Sequence, residues 1–296
     1  MKKFVSKIMV LLVILTACDF LAGKAGIFLV EHAKGGDTQR RHFIANKTSE
    51  EILIFGSSRA IHHYDSNILE DSLGHSVYNC GFDGNGILCA YGFYRMIAHR
   101  YNPKVIIYDI CPGFDLQSGD NHKYLGNLRF YYDKSGVSEI FSDVDETERY
   151  KMHSKMYQYN SMIPQLITDN IHPLHGDNKG YRPLDGEISK KTKPLIPASS
   201  YDYDSLKIEY IEKLMKDCEG KTKLIFTVSP YYLNTSSDVL IPLMELCRKY
   251  NVPLINSYAN DSFNQVRDYF FDPAHLNRKG ATEYTKYVAS KLKGYL

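Results

Sequence analysis

Three short stretches, far apart in the chain, hold residue types that can do acyl chemistry. Gly56-Ser57-Ser58-Arg59 puts two serines directly behind an apolar run, Ile52 to Phe55. Asp272-Pro273-Ala274-His275 puts a carboxylate and an imidazole three residues apart, with a proline stiffening the turn between them. Asn79-Cys80-Gly81-Phe82-Asp83-Gly84-Asn85-Gly86 is a glycine-rich turn. An Asp that orients a His, and a His that takes a proton from a serine, are the parts of nucleophilic acyl transfer. Unpaired backbone N–H groups at a helix start or a glycine turn favour negative charge, which an oxyanion requires. Each stretch taken alone has a plainer reading. A serine after a strand caps a helix, and an Asp beside a surface His caps a turn.

These residues must be held by regular elements. Apolar runs over 51–57, 76–81, 105–110, 223–228 and 253–257 read as short strands, most ending at Gly, Pro or Ser. Helical patterns over 87–101, 238–250 and 279–292 alternate with them. That alternation predicts an α/β chain: a three-layer α/β/α arrangement on a central parallel five-stranded sheet. Residues 117–200 interrupt it, rich in Tyr, Asn, Asp, Ser and His, with no strand pattern and short helices expected near 138–141 and 150–159. A connection of that length reads as a middle insertion, a wall or lid over one end of the sheet.

The 296 residues suffice for one large α/β domain or two small ones. A net charge of +2 gives no field for nucleic acid, so no nucleic-acid partner is expected. The chain has 24 Tyr and no Trp, a weak pointer towards sugar or peptide contact. Six cysteines show neither CxxC nor zinc-ligand spacing, so no metal or other cofactor is expected. The pair His62-His63 forms no recognisable metal-ligand motif with a carboxylate, so no metal is expected there. Residues 1–32 are basic at Lys2, Lys3 and Lys7, then largely apolar, with Asp19 and Lys24 as interruptions. Three readings fit: a membrane anchor, a cleaved signal peptide, or a lipoprotein signal in which Leu15-Thr16-Ala17-Cys18 precedes lipidation of Cys18. All three attach the chain to a membrane or send it out of the cytoplasm. Residues 33–50 read as a linker, and 51–296 as the α/β domain.

Taken in order, the three motifs resemble those of the SGNH hydrolase superfamily, the GDSL-type esterases and lipases. Leu53-Ile54-Phe55-Gly56-Ser57-Ser58 matches its first block, Val77 to Gly84 its second, and Asp272-Pro273-Ala274-His275 its last. The resemblance covers about 51–116 and 222–292. It implies a flavodoxin-like sheet, Ser58 as nucleophile, His275 as base and Asp272 as its orienting acid. It also implies an oxyanion hole from the N–H groups of Ser58 and Gly84. Ser57 stands where Asp is commonest. One block departs: the third normally supplies an Asn side chain to the oxyanion hole, and here Cys111-Pro112-Gly113-Phe114-Asp115 stands in its place. Either Asn85 or Asn79 fills in, or the enzyme is slow or inactive. Ser57, Arg59, Asn79, Asp109 and Asp115 are further candidates for the pocket. The implied function is a membrane-attached esterase or O-acyltransferase, facing the periplasm or exterior, acting on a carbohydrate ester. The alternative is a glycan-binding or scaffold protein on the same fold without catalysis.

Overall fold

A computed structural model of the chain describes residues 1–172, 178–193 and 195–296. Residues 173–177 and 194, within the segment read as the insertion, lie outside the described residues. The chain divides into two compact units: 1–47 with 125–176, and 48–124 with 177–296.

The larger unit is built on a parallel sheet of β1 (Ile52–Gly56), β2 (Val77–Asn79), β3 (Val105–Asp109), β4 (Lys223–Val228) and β5 (Leu254–Asn256), in the order β2-β1-β3-β4-β5. The α/β expectation with five parallel strands holds. Four of the five strands are shorter than the apolar runs suggested, by one to three residues at their ends. Registers pair Ile52 with Val77 and Val105, and Val105 with Lys223. Strands covered on both faces read as continuous apolar runs, and β1 and β3 are buried throughout. One face carries Ile52, Ile54, Val105, Ile107 and Ile225 against Tyr64, Leu69, Tyr284 and Val288. The alternate residues Leu53, Phe55, Ile106, Tyr108 and Phe226 point the other way.

Chain order reverses between β1 and β3, and an open α/β sheet binds ligands at such a switch point, outside the carboxyl ends of the strands. Gly56 ends β1 there. Its φ is +140, and a Cβ would lie 2.6 Å from the Asp109 carbonyl oxygen at the end of β3, so only glycine fits. The chain then enters α3 (Ser58–His63), with Ser57 as N-cap accepting from the Arg59 N–H at 3.3 Å.

In the smaller unit α1 (Lys2–Glu31) is followed by α2 (Gly36–Asn46), in the span read as a linker. The helices Ser138–Val144, Lys155–Tyr159 and Ile163–Ile171 belong to the same unit. Residues 4–15 of α1 are exposed or nearly so, whereas Gly23, Gly26 and Val30 are buried. A Cβ on Gly26 would lie 2.5 Å from the Tyr159 ring. Asp19 accepts from Ser154 Oγ at 2.7 Å and from the Met156 and Lys155 N–H groups at 2.9 and 3.0 Å, capping the helix Lys155–Tyr159. Among the described residues α1 is the one helix long and apolar enough to cross a membrane.

Candidate active site

Ser58, His275 and Asp272 come together although Ser58 and His275 are 217 positions apart. Ser58 opens α3, partly buried, where helix geometry leaves its N–H without an intrahelical acceptor. Ser58 Oγ lies 2.8 Å from His275 Nε2. His275 Nδ1 lies 2.9 and 3.0 Å from the two Asp272 oxygens. A carboxylate only accepts, so Nδ1 carries the proton and Nε2 offers its lone pair to the Ser58 hydroxyl. Asp272 Oδ1 also accepts from the N–H groups of Ala274 and His275, at 2.8 and 2.9 Å. Burial alone raises the Asp272 carboxyl, but the His275 ring and those two N–H groups outweigh it and hold it below the usual carboxylate range.

The glycine-rich turn follows β2. Gly84 has φ +67, a left-handed conformation suited to glycine, and is exposed. Neither the Ser58 nor the Gly84 N–H donates to an acceptor among the described residues. Asn85 donates from Nδ2 to the Asp83 carbonyl at 2.8 Å. Its Oδ1 is buried without a partner among the described residues, and that atom is an acceptor, the wrong polarity for an oxyanion.

The five pocket candidates are placed differently from the expectation. Asn79 is buried, donating to the Ala60 and Tyr64 carbonyls at 2.7 and 3.1 Å and accepting from the Gly81 N–H at 3.0 Å. It braces β2 against α3 and lines no open site. Asp115 is buried, accepting from the Cys111 and Ile87 N–H groups at 2.6 and 2.7 Å and from Tyr108 Oη at 2.8 Å. It therefore caps the helix Ile87–Ala98 and its own turn, and burial pushes its carboxyl up to about 7. Asp109 is buried, accepting from Tyr64 Oη at 2.5 Å and from the Ser229 N–H and Oγ at 3.0 and 3.1 Å. Ser57 is buried as the α3 cap. Arg59 is 1% exposed, its Nε 3.8 Å from Asp109 Oδ2. A strand-end polar residue can turn inward as readily as outward, and these five turned inward.

The structure adds residues that the local sequence does not reveal. His62 has its Nε2 3.0 Å from Asp83 Oδ1 and its Nδ1 2.5 Å from the Arg182 carbonyl. It thereby ties α3 to the residue before Gly84. The rings of His62 and His63 lie edge-on to His275 at 5.9 and 6.0 Å. Ser229, at the end of β4, sits between Arg59, His63 and Asp109.

No protein-family model matches the chain, and no curated protein matches it. Among solved structures the chain is similar to an acetyl xylan esterase from the rumen bacterium Butyrivibrio proteoclasticus, at 11% identity and a TM-score of 0.38. The alignment covers 84% of this chain and 64% of that one, so the chain spans less than two thirds of that esterase.

Proposed function

We propose that the chain is a serine-dependent ester hydrolase or O-acyltransferase of the SGNH type. Its substrate in this reading is an O-acyl group on an envelope or extracellular carbohydrate. One observation carries the proposal: Ser58 Oγ at 2.8 Å from His275 Nε2, with Asp272 on the far ring nitrogen at 2.9 Å. A nucleophile, a base and an orienting acid in hydrogen-bond sequence are the parts of an acyl-transfer site.

In this mechanism Ser58 Oγ attacks the ester carbonyl carbon as His275 Nε2 takes the hydroxyl proton. Asp272 fixes the ring tautomer and balances the imidazolium charge. The oxyanion forms against the free N–H groups of Ser58 and Gly84. The C–O bond to the alcohol then breaks, and His275 returns the proton to the departing alkoxide. Water, deprotonated by His275, hydrolyses the acyl-serine in an esterase; a sugar hydroxyl replaces water in a transferase. The scheme calls on no metal or cofactor. Lys2, Lys3 and Lys7 at the start of α1 support a placement of the acyl-transfer unit outside the cytoplasm, against which Lys34, Arg40 and Arg41 weigh on the other side of the segment.

The test is p-nitrophenyl acetate hydrolysis by the full chain in detergent. Ser58→Ala is expected to lose activity by about 10³-fold or more. Equal turnover by both proteins removes Ser58 from the role. One observation favours a second reading, a glycan-binding or scaffold protein. The third block carries no Asn, and its first N–H, that of Cys111, is already donated to Asp115 at 2.6 Å. Binding of acetylated oligosaccharide by a protein that hydrolyses no ester decides for that reading.

A further inference from the structure

We propose that Arg59 and His63, both on the helix that carries Ser58, are positioning residues for His275, gripping the backbone on either side of it. The inference rests on the acyl-transfer reading above. Arg59 Nη1 donates to the Ala274 carbonyl at 2.7 Å, immediately before His275. His63 Nε2 accepts from the Leu276 N–H at 2.9 Å, immediately after it. The two residues are four apart on α3 and so share a face. They are 1% and 0% exposed.

The network behind them closes without a spare donor or acceptor on its central hydroxyl. The Leu276 N–H can only donate, so His63 Nε2 must be the unprotonated nitrogen. His63 Nδ1 therefore carries the proton and donates to Ser229 Oγ at 2.9 Å. Arg59 Nη2 donates to the same oxygen at 2.7 Å. Ser229 Oγ spends its own proton on Asp109 Oδ2 at 3.1 Å. A serine hydroxyl has one donor and two acceptor sites, and all three are used. Arg59 also donates to the Ser229 carbonyl and lies 3.8 Å over the Tyr231 ring. Both gripping side chains are thus fixed from behind, by the ends of β3 and β4.

The grip answers a problem of registration. The turn that bears His275 is short and partly exposed, yet Nε2 must stay within hydrogen-bond reach of Ser58. A displacement of about 1 Å can cost about 10²-fold in rate. One six-residue helix carries the nucleophile and both groups that hold the base, so the distance between them is set locally. The sequence shows Arg59 and His63 only as neighbours of Ser58, because their partners lie more than 200 positions away.

His63→Gln and His63→Asn separate positioning from simple folding. The Gln amide oxygen reaches where Nε2 sits and accepts from Leu276; the Asn amide reaches only where Nδ1 sits and serves Ser229. With p-nitrophenyl acetate and the full chain in detergent, H63Q is expected within about threefold of the wild-type kcat. H63N is expected to fall by about 10–100-fold, with KM little changed and a melting temperature close to that of H63Q. If H63N does not fold, R59K gives the same test. It keeps the charge without the planar fork that spans Ala274 and Ser229, and its kcat is expected to fall about tenfold. Equal kcat in H63N and H63Q, or wild-type kcat in R59K, overturns the proposal and leaves the acyl-transfer reading standing. A wild-type protein with no turnover overturns both.

Discussion

His63 is buried as a neutral imidazole, and that sets a pH dependence. Burial first, then Arg59 and the neighbouring histidines, push its pKa well below the ordinary value. Below about pH 6.5 the unfolded chain binds a proton at this residue that the folded chain refuses. Its contribution to stability is therefore complete above that pH and declines below it, by up to about 1.4 kcal/mol per pH unit. Urea midpoints are expected to fall from pH 7 to pH 5, and more gently in H63Q; equal slopes contradict this account of His63. Asp272 has a different task. Asp272→Asn turns an amide N–H against Nδ1 and favours the wrong ring tautomer. It is expected to lower kcat by up to about 10⁴-fold. A loss under tenfold in steady-state assays leaves Asp272 a turn cap and no more. At this scale Ser58, His275 and Asp272 are legible in the sequence as candidates, because the spacing within each motif is local, and the structure sets them within hydrogen-bond reach of one another. The hydrogen bonds of Asp109 to Ser229, 120 positions away, are not legible there, since no local window contains such a partner.

The strands were legible because a buried parallel strand is one apolar run closed by a turn residue. The helices were less so. Ser205–Cys218 is absent from the sequence expectation, although Asp204 caps it and Tyr210, Ile211, Leu214, Met215 and Cys218 form its buried side. The sequence expectation ends the insertion near residue 200 and assigns no element to 205–218. The helix Ser66–Leu73 is short and mostly polar and gives a weak periodic signal. Between strand and helix the decisive element is the Gly56 corner. Gly56→Ala sets a Cβ against the Asp109 carbonyl and the Ala60 Cβ, at 2.6 and 2.9 Å, in a backbone region that L residues avoid. Strain alone is worth about 1–3 kcal/mol. The mutant is expected to melt several degrees lower and to lose esterase activity beyond what unfolding explains. An unchanged melting temperature contradicts the tight β1–β3 approach.

For the whole chain, α1 is more than an apolar leader. Asp19 caps a later helix and Gly23, Gly26 and Val30 are packed, so removal of all of α1 would strip the smaller unit of part of its own core. On the anchor reading this part of α1 is expected to be retained, and the protein is expected to stay with membranes after carbonate washing. Peptide mapping of the mature protein is expected to recover residues 19–31. A soluble form beginning after residue 31 contradicts this. The sequence alone leaves anchor, cleaved signal and lipoprotein signal open, because all three are apolar and N-terminal. The central claim, that Ser58 is activated by His275, is tested most directly by a fluorophosphonate probe on the full chain, read by mass spectrometry of its peptides. One adduct is expected, on Ser58, and it should vanish in His275→Ala. A folded protein that takes no adduct, or takes it on another residue, contradicts the claim.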